Sequence, residues 1–139
     1  MPLPEYLTLE IVTPERGIIS ERVEEVQVPG AEGAFGILPG HTPLLATLQV
    51  GELWYRRGEE TSYVAVSFGF AEVQPDRVSI LAQMAEEAED IDVTRAEAAE
   101  LRARGRLDAP VVDMDVERAR LALLKSLTRI RVASKGRTT

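Results

Sequence analysis

The 139-residue chain has no cysteine and a single histidine, His41. Without cysteine it can form neither a disulfide nor a thiolate metal site, and that usage points toward the cytosol. One histidine leaves no imidazole pair for a metal, and no D-x-D-x-D-G loop offers calcium ligands. Nucleophilic catalysis lacks both a cysteine and a G-x-S-x-G turn. No apolar run approaches the ~20 residues a membrane helix needs. The opening "MPLPEYLTLEIVTPE" has no basic n-region and no long apolar h-region, so neither a signal peptide nor direct membrane insertion is expected. Positive charge is also short, 16 Lys and Arg against 23 Asp and Glu for a net charge of -7, which argues against a nucleic-acid partner.

What is present is a globular composition, 45% hydrophobic and 28% charged, in a chain long enough for one domain with a core, or a domain with an appendage. The charge is uneven. Residues 1–108 hold 9 Lys/Arg and 20 Asp/Glu, whereas residues 109–139 hold 7 Lys/Arg and 3 Asp/Glu. A basic end on an acidic body can dock on an acidic surface, its own or a partner's, or be a solvated helix face.

The hydrophobic period divides the chain into a domain at 1–88 and another at 89–139. In the first, "LTLEIVT" alternates, with Leu7, Leu9 and Ile11 on one face. "EEVQV" offers Val26 and Val28. "ATLQVGELWYRR" and "SYVAVSF" read as a hairpin about Gly58. "FAEVQPDRVSIL" reads as two strands joined at Gln74-Pro75-Asp76-Arg77, where Pro75 pre-sets the turn. Short strands at this spacing predict an all-β sandwich or flattened barrel. After Asp92 the period becomes helical, through Ala96, Ala99, Ala103 and Leu107. "GRLDAP" interrupts. Asp113 and Asp115 are cap candidates for a second helix with the stripe Val116, Ala119, Leu123, Leu127 and Ile130. Together they predict an antiparallel two-helix hairpin, α+β overall. Its alanine face buries little apolar area, so the hairpin should be the less stable half. The tail "SKGRTT" is expected to fray.

Three stretches stand out as candidate sites. "PGAEGAFGILPGH" is glycine-rich but fits neither a Walker loop nor G-x-G-x-x-G. It reads as tight turns, or as a surface loop that approaches another subunit with Phe35 as an exposed anchor. The run "AEEAED" could be an acid/base or metal cluster but is more simply a solvated acidic stretch. In "EDIDVTRAEAAELRARG", Asp92 is a helix N-cap, yet Arg95 follows in the first turn, where the dipole prefers Glu or Asp. Either Arg95 pairs with Asp92 or Glu89 and steadies the cap, or it meets an anion that the helix start already favours.

"GAFGILPGHTPLLATLQVGEL", then "FAEVQPDRVSILAQMAEEAEDIDVTRAEAA", then a basic helix, together resemble the epsilon subunit of bacterial F-type ATP synthases. The likeness runs from "LTLEIVTPE" to "TRIRVAS". It implies a non-catalytic central-stalk subunit on the cytoplasmic face of the membrane. The implied partners are the gamma subunit, the ring of membrane c subunits and, when the hairpin extends, the catalytic alpha/beta head. The implied interface is Glu32, Gly33, Ala34, Phe35 and His41. The extended hairpin would block ATP hydrolysis.

The family's nucleotide motif, I/L-D-x-x-R-A, stands here as Ile91-Asp92-Val93-Thr94-Arg95-Ala96. Matching positions add Glu86, Lys125 and Arg129. No cofactor is required; ATP would be a regulatory ligand of the folded hairpin. Lys125 departs from the family, which carries arginine there, and lysine offers a point charge in place of a planar fork. Two other classes remain open, a stand-alone nucleotide-sensing domain and an enzyme with an unrecognised carboxylate site. Co-purification with gamma separates the first reading from both.

Overall fold

The structure, a computed structural model, describes residues 3–15, 17–111 and 114–136. Its first half is built by alternation. Strand β1 (Leu7–Val12) turns Leu7, Leu9 and Ile11 inward, each 0% exposed, and leaves Thr8 and Glu10 half-buried on the other face. There follow β2 (Gly17–Val23), β3 (Glu25–Gly30), β4 (Gly33–Ile37), β5 (Leu44–Leu48), β6 (Gly51–Arg57), β7 (Glu60–Gln74) and β8 (Arg77–Glu87). Among the described residues the strands hydrogen-bond in the order β2-β1-β8-β7-β5-β3-β4, with β6 paired to β3 and β7. The β1–β8 pair is parallel. The β6–β7 hairpin turns at Gly58, whose φ of 60° suits glycine, and the β7–β8 hairpin turns at Pro75-Asp76 as expected.

Strand β7 makes this a sandwich. Its first half pairs with β6 and its second half with β5, while β8 follows it from Val64 to Gln74. The change of partner falls at Phe68 and Gly69, where φ is 56° and 129°. A Cβ on Gly69 would collide with the Leu81 carbonyl oxygen, so the crossing needs glycine there. The two layers enclose one core of Leu, Ile and Val, including Val26, Val28, Ile37, Leu53, Val64 and Ile80.

Two expectations about this half change. "ATLQVGELWYRR" is two strands, because the chain breaks at Gln49-Val50 and β5 and β6 take different halves of β7. The glycine-rich stretch is turns only in part: Gly33 and Gly40 take positive φ as tight turns require, but Gly33–Ile37 is a strand paired with β3. Its small side chains hide the strand period, and cross-strand pairing supplies the order that propensity does not.

A 3₁₀ turn at Ala88–Asp90 leads to α1 (Val93–Asp108) and α2 (Val116–Gly136), which pack on each other as a hairpin. Asp92 caps α1 by accepting the Arg95 backbone N–H at 3.0 Å, and Asp115 caps α2 through the Arg118 N–H at 3.0 Å. Asp113 lies outside the described residues. Helix α1 runs through Gly105, because one glycine costs only about 1 kcal/mol in a helix, and it stops before Pro110. Ala96 and Ala103 are buried, as is Ala119 of α2, whereas Leu107, Leu123, Leu127 and Ile130 are half-buried and Val116 is exposed. The expected fraying of "SKGRTT" does not hold for its first three residues: Ser134, Lys135 and Gly136 are helical. The C-terminal part of α2 lies on β6, β7 and the 3₁₀ turn, where Val132 and Ala133 meet Ala65, Ala88 and Ile91.

Candidate functional site

The motif around Arg95 sits where the strands end and the hairpin begins. Ile91 is buried in the small cluster beneath α2, and Ala96, on the first turn of α1, is buried as well. These two anchor the turn that carries Asp92 and Arg95. The Arg95 side chain is exposed. Among the described residues its guanidinium pairs with neither Asp92 nor Glu89; only its backbone N–H serves the cap. Side-chain pairing therefore does not explain a cation in this turn, and the guanidinium stands available beside the helix start.

Glu86 and Arg129, 43 residues apart, are brought together. Arg129 Nε lies 2.7 Å from Glu86 Oε1 and its Nη2 donates to Oε2 at 3.1 Å, an ion pair with one hydrogen bond between α2 and β8. Lys125, one turn earlier on α2, lies 5.7 Å over the Phe68 ring, on the strained residue where β7 changes layer. The three candidate cations thus have three different surroundings: solvent for Arg95, an aromatic face for Lys125 and a carboxylate for Arg129. An anionic ligand reaching Arg129 has to compete with Glu86.

The second candidate set lies on the strands and turns of the sandwich. Glu32, Gly33 and Ala34 are exposed at the β3–β4 turn, and Gly33 has a φ of 132°. Phe35 is not the exposed anchor expected of it. It pairs across the ladder with Val28, which faces the core, so its ring faces the same way and packs there half-buried. His41 is half-buried, with Nδ1 donating to the Thr42 carbonyl at 2.7 Å. Between the β3–β4 turn and β5 lies an open cavity of about 400 Å³, edged by Glu32, Phe35, Leu44, Leu45 and Thr47. Leu45 is 69% exposed and is the better apolar contact on this edge.

Reasoning from the sequence missed Lys135, Glu52, Tyr63 and Phe68. Lys135 Nζ lies 2.7 Å from Glu52 Oε1 and 5.5 Å from the centre of the Tyr63 ring. No local pattern links residues 83 positions apart. The only available signal was the basic excess of the C-terminal segment, and in this conformation the acidic surface it meets is the chain's own. Among the described residues no three His, Cys, Asp or Glu converge to hold a metal, and no helix is long and apolar enough to cross a membrane.

Comparison with known proteins bears on both halves. Residues 6–88 match the model for the beta-sandwich domain of the ATP synthase delta/epsilon chain, and residues 89–134 match that for its long alpha-helix domain. The ATP synthase epsilon chain of Syntrophobacter fumaroxidans is 50% identical over 133 residues, which span 96% of this chain and 99% of that protein. The ATP synthase epsilon chain 2 of Syntrophotalea carbinolica is 46% identical over 135 residues, 96% of this chain and 98% of that one. A chain in the cryo-EM structure of the Euglena gracilis mitochondrial ATP synthase, OSCP/F1/c-ring in rotational state 1, superposes with a TM-score of 0.83 over 96% of this chain and 84% of its own. At 24% identity that superposition speaks for the fold alone. With both halves matched in order and close relatives aligned from end to end, the chain belongs to the ATP synthase delta/epsilon family, on its epsilon-chain side.

Proposed function

We propose that the chain is the non-catalytic epsilon subunit of an ATP synthase central stalk, peripheral to the membrane on its cytoplasmic face. The sandwich grips gamma and rests on the ring of c subunits. Glu32, Gly33, Ala34 and His41 supply the outer contacts, and Phe35 supports them from beneath. The hairpin, 89–139, is the regulatory unit. Folded on the sandwich it permits ATP hydrolysis; extended along gamma it reaches the alpha/beta head and blocks it. The observation that carries this reading is the end-to-end identity with epsilon chains across both halves. Co-purification with gamma tests it: a chain that does not associate with gamma is the stand-alone nucleotide sensor. Glu32→Lys with Leu45→Asp, both at exposed positions, should leave the isolated fold intact and weaken coupling to the ring.

ATP fits this scheme as a regulatory ligand of the folded hairpin, with Glu86, Ile91, Asp92, Arg95, Ala96, Lys125 and Arg129 as its site. The free Arg95 guanidinium next to a capped helix start supports the reading. A ligand that binds only the folded form stabilises it by about 2.7 kcal/mol at 100 times its dissociation constant. Titration calorimetry with ATP, with and without magnesium, decides. The wild type should give heat and Arg95→Glu none; a silent wild type at millimolar ATP removes the site and turns attention to Lys125.

A further inference from the structure

The cations at the end of α2 are engaged by the chain's own sandwich. Lys135, in the last turn, places Nζ 2.7 and 2.9 Å from the two carboxylate oxygens of Glu52 on β6, with the Tyr63 ring alongside. The Glu52 side chain is 18% exposed, so the pair is partly withdrawn from water. Two turns earlier, Arg129 pairs with Glu86 of β8, their side chains 22% and 27% exposed. Between the two pairs Val132 and Ala133 complete the small apolar cluster. Gly136 lies so close to Ala88 that a Cβ there would collide with it. These contacts fall within residues 129–136, whereas the start of α2 turns Ala119 inward.

We propose that this end of α2 is a charge latch. The Lys135–Glu52 pair over Tyr63, backed by Arg129–Glu86, sets the proportion of chains whose hairpin lies on the sandwich, and it acts without nucleotide. The apolar cluster cannot do this alone, because three of its five buried members are alanine, which withdraw little area from water. Charges held at 2.7 Å in half-buried surroundings attract more strongly than exposed pairs do. Release uncovers both cations together. Glu52 and Glu86 therefore compete with any acidic surface that α2 meets elsewhere.

The latch deepens the regulatory reading above, and the two can fail separately, because the test uses no ATP. The chain has no cysteine, so Glu72→Cys on β7 and Arg102→Cys on α1, both exposed, take spin labels without background. In the full chain their distance distribution should be dominated by one separation, the shorter of the two that folded and released hairpins give. Lys135→Glu, and separately Glu52→Lys, should raise the ratio of long to short separations about tenfold through like-charge repulsion. Combining Glu52→Lys with Lys135→Glu should restore the starting distribution. Single variants that leave the distribution unmoved overturn the latch. A combined variant as open as the singles also overturns it, and would mean that Lys135→Glu acts on the helix dipole instead. Amide exchange in β1 and β8 checks that the sandwich persists. If Glu52→Lys disturbs it, Lys135→Gln replaces that arm, and a distribution unmoved by Lys135→Gln counts equally against the latch.

Discussion

Around β1, β7 and β8 the side chains withdrawn from water are Leu7, Leu9, Ile11, Val64 and Ile80; where α2 meets the sandwich they are Ala65, Ala88, Ile91, Val132 and Ala133. Each methylene carries about 0.8 kcal/mol of burial, so equal numbers of residues stabilise the two places very unequally. The helical interface adds two ion pairs, Lys135–Glu52 and Arg129–Glu86, whereas among the described residues the buried cluster of the sandwich is hydrophobic and its ion pairs, such as Arg77–Glu10 and Arg56–Glu24, lie outside it. Apolar burial is undirected and hard to undo piecemeal. Ion pairs are directional, salt-sensitive and replaceable by another partner of the same sign. The proposed regulation, in which the hairpin leaves a sandwich that stays folded, calls for this difference.

The sharpest way to break the comparison is at the crossing of β7. Gly69→Ala places a Cβ against the Leu81 carbonyl at a φ of 129° and should cost the sandwich at least about 3 kcal/mol in denaturant unfolding. An unchanged midpoint would show that β7 can cross between layers without that conformation. Leu9→Ala should cost about 3 kcal/mol by emptying the core, and Val132→Ala, at the helical interface, about half of that. If the two losses are equal, the interfaces are not of different kinds. Asp92→Ala removes a cap worth about 1 kcal/mol. Amide exchange should quicken through 93–108 and stay unchanged in the strands, with faster exchange in β1 counting against separate stabilities.

The smallest effect is one of pH and belongs to the sandwich. Burial raises the Tyr55 hydroxyl above its ordinary 10.0, aided by Glu21 and Glu87, while a hydrogen bond with Ser62 pulls the other way. A raised pKa in the folded state means that the unfolded chain loses this proton first. The stabilising contribution is therefore whole below pH 10.0 and is lost as pH climbs through the folded value. Tyr55→Phe should flatten the alkaline limb of the sandwich's stability curve, and an unaltered limb would assign it to other groups.

Leu7, Leu9 and Ile11, the turns at Gly58 and Pro75, and the cap at Asp92 were legible because each depends on neighbours in sequence: a period of two, a φ preference, a side chain reaching three residues on. The same local chemistry marked Arg95 as out of place. Strand β4 was not legible, because glycine and alanine carry no strand signal and its order comes from β3. Phe35 was misjudged for the same reason, since its direction is inherited from Val28 across the ladder. The family's motifs located Glu86 and Arg129, but no pattern announced that they pair.

By itself, then, the sequence determined where this chain alternates, turns and coils, that no thiol chemistry is open to it, and that its acidic body ends in a basic helix. Only the tertiary structure decided what that helix rests on. Lys135 meets Glu52 and Arg129 meets Glu86 because the first half of β7 holds β6 on one side and β8 on the other, so that Glu52 and Glu86 both stand beside Ala65, on which α2 packs. Pairings of that kind depend on distances through space between residues far apart along the chain, and a local pattern holds no record of them.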